Sequence, residues 1–381
     1  MKILFKYATV ALLLAGAAAC SQPSKRASII DENIAVAEKQ IGMLADSSET
    51  GGVIRIPSTW KNGRIDYVPV DDWVSGFFAG TLWYMYELTG DEAWAARARK
   101  HTEILDSVQY LQWHHDVGFM VYDSYGNGLR LKNIPGYEDV IVQTAKSLAT
   151  RFRPVPGVIQ SWDADRGWQG AVIIDNMMNL ELMFKATEFS GDSTYYNIAV
   201  KHADRTMKEH FRDDYSCYHV VDYDLTTGDV RGRCTAQGYA DDSAWARGQA
   251  WAVYGYTACY RYTGDKRYLD HARKVAGFML DDKNMPADLV PYWDYDAPNI
   301  PNEPRDVSTA AIIASAFYEM YTYTGDGLYK QKADRIVESL SSPAYRAPVG
   351  GNGGFLLMHS VGSIPHGSNI DVPLNYADYY F

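Results

Sequence analysis

An aspartate set among apolar residues is the strongest candidate for acid–base chemistry in this sequence. Asp175 stands in the segment Ile-Ile-Asp-Asn-Met-Met at positions 173–178. Apolar surroundings favour the uncharged carboxyl group, which is the form that a general acid must hold near neutral pH. The alternative is that Asp175, like Asp306, begins a helix and caps its free N–H groups, a contribution of about 1 kcal/mol. The residues alone leave both interpretations open.

A second aspartate, Asp116, follows two histidines in the segment Trp-His-His-Asp-Val-Gly-Phe at positions 113–119. An ion pair within a loop is the plain interpretation of this group, and a role in catalysis is the other. His114 and His115 also suggest a metal site, but three adjacent side chains cannot all face one ion. We therefore expect no metal.

Side chains that could hold a sugar occur in the same part of the sequence. Aromatic faces stack on the apolar faces of sugar rings, whereas Arg, His and Gln side chains reach hydroxyl groups and a carboxylate. This combination predicts a carbohydrate cleft for an anionic sugar. An ion pair of Arg247 with Asp241 or Asp242, and core packing of Trp251, are the alternatives. The candidates are Trp162, His219, Gln237, Arg247 and Trp251.

A repeated turn indicates the architecture that positions these residues. In four segments Thr-Gly-Asp or Ser-Gly-Asp is followed, three residues after the aspartate, by an aromatic residue. Glycine ends a helix because it adopts positive φ without steric cost, and the aspartate can cap the next helix. Each copy therefore predicts a hairpin of two helices. The turn glycines are Gly90, Gly191, Gly264 and Gly325.

The helical pattern predicts an all-α fold, since strand signals are nearly absent. The long gap after the first turn leaves room for a degenerate unit around 138–152. Six hairpins of roughly 50–60 residues would account for the mature chain as a closed ring of six inner and six outer helices, with an open solenoid as the rival. The predicted helices are 29–46, 72–89, 91–111, 138–152, 173–190, 193–211, 243–263, 265–280, 306–324 and 326–341.

The repeat also predicts which mouth of the ring holds the site. The first helix of each pair begins about 16 residues before the turn, or ~24 Å away, at the opposite mouth. One mouth carries the same structural turn in each hairpin, whereas the residues at the other mouth differ from hairpin to hairpin. We call this second end the varied mouth and expect the active site there. The segments at that mouth are 71–78, 174–178, 245–251 and 306–309.

Composition excludes several classes of protein. The chain has 381 residues, with 36 Lys and Arg against 47 Asp and Glu, a formal net charge of -11. Such an acidic chain, without a long basic run, is a poor candidate for binding a nucleic acid. It also lacks P-loop, Rossmann and zinc-finger patterns, so we expect no cofactor.

The first twenty residues are typical of a bacterial lipoprotein signal. Lys2 and Lys6 precede an apolar run that ends in small residues and Cys20. We expect Cys20 to become the lipidated N-terminus of a periplasmic protein anchored to the membrane, with ordinary signal cleavage as the alternative. The predicted organisation is a signal at 1–20, a tether at 21–28 and one catalytic domain at 29–381.

Several motifs, in order, resemble glycoside hydrolase family 88, the unsaturated glucuronyl hydrolases. They are His-His-Asp-Val-Gly-Phe at 114–119, Ile-Asp-Asn-Met-Met-Asn-Leu at 174–180, Trp-Ala-Arg-Gly-Gln-Ala-Trp at 245–251 and the C-terminal segment 371–381. The resemblance covers roughly residues 30–381. It implies an (α/α)6 barrel, in agreement with the repeat.

The resemblance also implies a reaction. Members of this family hydrate the 4,5-double bond of the terminal unsaturated uronic acid in oligosaccharides made by polysaccharide lyases, and thereby release that residue. Asp175 matches the family's acid/base, and Asp116 matches the aspartate that contacts the uronate hydroxyls. The matched binding positions are Phe77, His115, Trp162, His219, Gln237, Arg247 and Trp251.

One departure from the family bears on the substrate. Members that act on sulfated glycosaminoglycan fragments carry a Ser- and Lys-bearing segment near the C-terminus, whereas the stretch 359–368 of this chain has no Lys. A substrate derived from glycosaminoglycans is still expected, but this segment does not indicate a preference for a sulfated sugar, and chondroitin, hyaluronan, heparin-derived and non-glycosaminoglycan fragments all stay open. The alternatives are an unsaturated rhamnogalacturonyl hydrolase of the same fold and a non-catalytic, lipid-anchored sugar-binding protein.

Overall fold

The computed structural model describes residues 25–164 and 167–381, in which helices form most of the mass. A π-helical turn, Tyr122–Gly126, joins α4 to α5, and a 3-10 turn, Ile174–Asn179, leads into α7. In chain order the helices are α1 (Lys25–Ser48), α2 (Ser75–Thr89), α3 (Glu92–Glu103), α4 (Val117–Val121), α5 (Asn127–Lys132), α6 (Tyr137–Ala149), α7 (Leu180–Ser190), α8 (Ser193–Glu209), α9 (Ala246–Thr263), α10 (Lys266–Asp281), α11 (Val307–Thr324), α12 (Gly327–Leu340) and α13 (Asn375–Tyr380).

The helices form two concentric layers around one axis. The inner layer consists of α2, the α4–α5 segment, α7, α9, α11 and α13, and the outer layer consists of α1, α3, α6, α8, α10 and α12. The ring closes because α13 packs against both α11 and α2. The Asn375 side-chain amide donates to the carbonyls of Pro57 and Val74, each at 3.0 Å. The predicted closed ring is confirmed, and the open solenoid is excluded.

The four repeated turns have the predicted conformation. Each turn glycine ends its helix in the left-handed region, with φ of 70°, 72°, 67° and 65° in chain order. The aspartate after each glycine accepts a hydrogen bond from a backbone N–H two residues later, and the aromatic residue three positions on is buried in the core. These turns all lie at one mouth of the ring.

One inner helix was missed by the sequence pattern. Residues 117–132 contain several glycines, which read as helix breakers. In the structure these glycines allow close packing: a Cβ on Gly118 would stand 2.5 Å from the Asn179 side-chain oxygen, and one on Gly128 would stand 2.7 Å from the Tyr137 ring. The short α13 was missed as well, and the helix predicted at 91–111 ends at Glu103.

Short antiparallel strands line the varied mouth, although strand signals are nearly absent from the sequence. Strands β5, β6 and β7 form one sheet, and the others form two-stranded hairpins in the connections that precede inner helices. Strands this short offer too few positions for alternation to be visible. They are β1 (Ile56–Lys61), β2 (Arg64–Val68), β3 (Phe152–Arg153), β4 (Val158–Ile159), β5 (Ala171–Ile173), β6 (Val220–Tyr223), β7 (Val230–Cys234), β8 (Ser360–Ser363) and β9 (Ser368–Val372).

The N-terminal part of the described chain begins within α1. Residues 25–28, predicted as part of a tether, therefore belong to this helix. Cys20 and the predicted signal lie outside the described residues. Within the described ranges, no helix combines the length and apolar character needed to cross a bilayer.

A buried ion pair fastens two neighbouring inner helices at the varied mouth. Arg247, in the first turn of α9, donates from Nη1 to Asp306 Oδ2 at 3.0 Å. Asp306 also caps α11 by accepting from the backbone N–H and hydroxyl of Ser308 and the hydroxyl of Thr309. Both charged side chains are only 1% exposed, so neither can exchange its partner for water.

We expect Asp306→Ala to destabilise the protein far more than Asp192→Ala does. Both aspartates cap a helix, but only Asp306 neutralises a buried guanidinium, and the loss of one partner of a buried pair costs about 3–5 kcal/mol. The exposed cap Asp192 should cost about 1 kcal/mol. Urea denaturation of the two variants measures the difference. Equal losses would show that the ion pair contributes nothing beyond capping.

Candidate active site

The fold brings the two candidate carboxyl groups into one buried site. Asp116 immediately precedes α4, and Asp175 lies in the 3-10 turn that leads into α7, the next inner helix. Asp116 is 8% exposed and Asp175 7%. The groups are close enough for the negative charge of Asp175 to help raise the pKa of Asp116. Both aspartates thus stand at the varied mouth, where the repeat predicts the active site.

A buried asparagine that the sequence reasoning missed holds Asp116. Asn179 Oδ1 accepts from the Gly118 backbone N–H at 2.8 Å, so its Nδ2 is the atom that faces Asp116. Nδ2 donates to Asp116 Oδ1 at 3.0 Å. Because Asn179 stands four residues after Asp175, the two lie in the same helical stretch. That spacing was the available signal.

Burial dominates the protonation of Asp116. Desolvation raises its pKa from 3.8 to about 6, the nearby Asp175 carboxylate adds to the rise, and His114 and the Asn179 amide oppose it. Asp116 therefore holds its proton closer to neutral pH than an exposed aspartate would.

Asp175 is paired with a histidine of fixed tautomer. His219 Nδ1 accepts from the backbone N–H groups of Ala236 and Gln237, at 3.0 and 3.2 Å. We therefore assign the proton of the neutral ring to Nε2, which stands 3.6 Å from Asp175 Oδ2. Among the described residues, no hydrogen bond reaches this buried oxygen. Asp175 is not a helix cap, whereas Asp306 is.

The His115 ring lies next to Asp116 but is uncharged. Its Nε2 is 3.3 Å from Asp116 Oδ2. Burial lowers the pKa of His115 to about 3, against the attraction of Asp175, so the ring is neutral at physiological pH. The contact is therefore not an ion pair of opposite charges. No group of metal-ligating side chains suited to an ion is found within the described residues.

Arg247 faces the site from the side of α9. Besides Asp306, its guanidinium bonds the carbonyls of Val361 and Gly362 in β8, the latter at 2.7 Å. It also lies over the Trp245 ring, 4.6 Å from the centroid. The predicted alternative, a core ion pair of Arg247 with Asp241 or Asp242, is wrong. The partner is Asp306, at the start of a later helix, and the other contacts come from strand β8. Its part in substrate binding stays a prediction.

An open pocket lies beside His219. Trp162 stacks on Trp168, with centroids 5.3 Å apart and planes 18° apart, and turns its edge toward the His219 ring. Gln237, whose Nε2 donates to the Gly362 carbonyl at 3.4 Å, and the β8–β9 hairpin form the other wall. The cavity measures about 390 Å³ and is lined by Trp162, Trp168, Ala236, Gln237, Ser363, His366 and Ser368.

Two of the predicted binding residues form the floor of the ring instead of an exposed wall. Phe77 and Trp251 are both 0% exposed. Each packs against the Phe119 ring, with centroids 5.3 and 5.2 Å away. The structure thus places them in the aromatic core around the ring axis, as the alternative for Trp251 had it. A contact of either residue with substrate stays a prediction.

The chain was compared with known proteins. No protein-family model matches it. An unsaturated glucuronyl hydrolase from Formosa agariphila is 48% identical over 318 residues, which span 82% of this chain and 79% of that protein. An unsaturated chondroitin disaccharide hydrolase from Streptococcus pyogenes is 31% identical over 333 residues, or 85% of this chain and 83% of that protein.

Solved structures give the same result. The crystal structure of an unsaturated glucuronyl hydrolase specific for heparin matches with a TM-score of 0.90 and 44% identity, over 93% of this chain and 95% of that one. A structure of such an enzyme with dGlcA-Glc-Rha-Glc matches with a TM-score of 0.82 and 29% identity, over 92% and 93% of the two chains. These matches bear out the expected enzyme class and fold, and the chain belongs to the unsaturated glucuronyl hydrolases of glycoside hydrolase family 88.

Proposed function

We propose that Asp175 is the proton donor with which this glycosidase hydrates the 4,5-double bond of a terminal unsaturated uronic acid. One observation carries the assignment: the Asp175 carboxyl is buried beside a second carboxyl group, yet receives no hydrogen bond at Oδ2. A buried polar atom without a partner is rare in native proteins and is concentrated at functional sites. Asp116, by contrast, is held by Asn179.

The reaction is the addition of water to an enol ether. Asp175 transfers its proton to C4, and positive charge develops at C5 and the ring oxygen. A water molecule then bonds to C5 and returns a proton to the Asp175 carboxylate, so the acid is restored. The resulting hemiketal opens by cleavage of the bond between C5 and the ring oxygen, and the hemiacetal at C1 then breaks to release the rest of the sugar with a free hydroxyl group.

The neighbouring groups have separable roles in this scheme. The His219 ring, whose Nε2 lies 3.6 Å from Asp175 Oδ2, limits the positions that the carboxyl group can take. Asp116 accepts hydrogen bonds from the uronate hydroxyls, and its negative charge stabilises the cation that forms at C5. The buried guanidinium of Arg247 attracts the uronate carboxylate. The substrate thus approaches between α4, α7 and α9.

The leaving sugar occupies the pocket beside Trp162. Among the described residues that line it, none is Lys, Arg, Asp or Glu, and Ser363 Oγ is hydrogen-bonded to His366 Nδ1 at 2.7 Å. A wall whose described residues carry no carboxylate, ammonium or guanidinium group supports an uncharged or N-acetylated sugar in preference to a sulfated one. Relatives that act on chondroitin disaccharides or on heparin support a substrate derived from glycosaminoglycans.

We also propose that the mature protein is a periplasmic lipoprotein held to the membrane through Cys20. The basic start, apolar run and small residues before Cys20 support this location. A substrate produced outside the cytoplasm by lyases is consistent with it.

Asp175→Asn should abolish the loss of ultraviolet absorbance that accompanies hydration of the double bond. The amide cannot donate an acidic proton to C4 but keeps the volume of the carboxyl group, so the melting temperature should be unchanged or higher. The assay uses unsulfated and sulfated lyase disaccharides side by side, with the wild type expected to prefer the former. The exposed Asp213→Asn is the control. Full activity of Asp175→Asn would remove Asp175 from the mechanism.

Asp116→Asn should stabilise the protein at pH 8 more than at pH 4. The pKa of Asp116 is raised on folding, so the stability present below pH 4 is lost as the pH rises through about 6. An amide removes this penalty, which is up to about 3 kcal/mol for a shift of two units, and can still accept from Asn179. Melting curves at the two pH values, with Asp213→Asn as control, measure the effect. A variant less stable than wild type at pH 8 would contradict it.

Cys20→Ser should release the protein from the membrane fraction. Without the thiol no acyl chain can be attached, and one or more acyl chains are what hold a lipoprotein to a bilayer. Fractionation of cells that express the wild type and the variant, with detergent extraction and mass determination of the N-terminus, gives the result. An unmodified wild type in the soluble periplasmic fraction would rule out the anchor.

A further inference from the structure

A second cavity, a groove, lies next to the leaving-sugar pocket. It measures about 630 Å³ and lies between the β1–β2 hairpin and strand β9. Lys61 Nζ donates to Asn369 Oδ1 at 3.2 Å, which joins the two hairpins. Ser368 lines both the pocket and the groove, so the two cavities adjoin at this residue.

The groove is positively charged in a protein that is acidic overall. Lys61 and Arg64 line it with 38% and 76% of their side chains exposed, and both contact Asp66, at 3.0 and 3.3 Å. The Arg55 guanidinium stands 4.7 Å from the centroid of the Tyr67 ring, which also lines the groove. Two cations thus line the groove around one carboxylate, against a net charge of -11 for the chain. A local positive potential next to an active site concentrates anionic ligands.

The spacing of charge along a substrate matches this arrangement. In a lyase product in which uronic acids alternate with another sugar, the first residue is the unsaturated uronate, the second leaves from the neutral pocket, and the third carries the next carboxylate. The neutral pocket followed by a cationic groove reproduces that order. We propose that the groove of Lys61 and Arg64 is a binding subsite for the carboxylate of the third residue, an inference that rests on the proposed function of the pocket.

The test compares an unsaturated tetrasaccharide, whose third residue is a uronic acid, with the disaccharide that lacks it. For Lys61→Ala/Arg64→Ala, the ratio of kcat/KM for tetrasaccharide to kcat/KM for disaccharide should fall about three- to ten-fold, because each exposed charge pair contributes little. This decrease in the kcat/KM ratio should be smaller at high salt, because salt screens the charges. Lys39→Ala/Lys201→Ala, which removes two exposed lysines from outer helices, should leave the ratio unchanged.

A second variant, expected to raise the kcat/KM ratio instead of lowering it, separates loss of binding from damage to the hairpin. Asp66→Asn frees both cations from their common partner and should raise the ratio. The tetrasaccharide dGlcA-Glc-Rha-Glc, with a neutral third residue, should be insensitive to all of these changes. An unchanged ratio in both groove variants, or an equal effect on the neutral tetrasaccharide, would overturn the subsite.

The same comparison distinguishes failure of the subsite from failure of the proposed function. Calorimetric binding of the charged and neutral tetrasaccharides to Asp175→Asn, with and without the Lys61 and Arg64 changes, needs no turnover. Binding that depends on the groove, without turnover by the wild type, would overturn the function and uphold the subsite. Turnover of the disaccharide by the wild type, with tetrasaccharide binding that does not change when Lys61 and Arg64 are replaced, would uphold the function and overturn the subsite.

Discussion

Two carboxyl groups share one buried site, and much of the surrounding structure follows from holding them there. Like charges in a medium of low dielectric repel strongly, so both groups cannot be ionised at little cost. Burial and the nearby charge of Asp175 raise the pKa of Asp116. A polar side chain stands beside each group: the Asn179 amide donates to Asp116, and His219 Nε2 lies 3.6 Å from Asp175 Oδ2.

The ring of helices makes this arrangement possible because it brings the starts of neighbouring inner helices together. Asp116, Asp175 and Arg247 come from segments widely separated in sequence, and each stands at or just before the first turn of an inner helix. The opposite mouth carries four similar turns in which the glycine ends one helix and the aspartate caps the next. The two ends of the inner helices therefore differ. One end carries a repeated structural turn, whereas the other carries residues that vary from helix to helix and form the site.

Several polar atoms at the varied mouth have no hydrogen-bond partner within the described chain. They include Asp175 Oδ2, His219 Nε2 and Arg247 Nε, and all three are buried. Such atoms lower the stability of a fold, since each gave up its hydration. These three atoms surround the site in which we propose that a polar, anionic sugar binds, and other buried atoms without a partner lie elsewhere in the described chain. Burial of the aromatic side chains beneath the site, which include Phe77 and Trp251, offsets this loss of stability.

The sequence by itself determined the repeat, and through it the closed ring, because a turn glycine and a capping aspartate act locally and leave a readable pattern. It also singled out Asp116 and Asp175 through their motifs. It could not reveal the helix at 117–132, since the reason for its glycines is the approach of Asn179 and Tyr137 from elsewhere in the chain. Nor could it reveal that Arg247 pairs with Asp306, that Asn179 donates to Asp116, or that Phe77 and Trp251 lie beneath the site. Those are contacts between distant segments, and only the tertiary structure decides which of them meet.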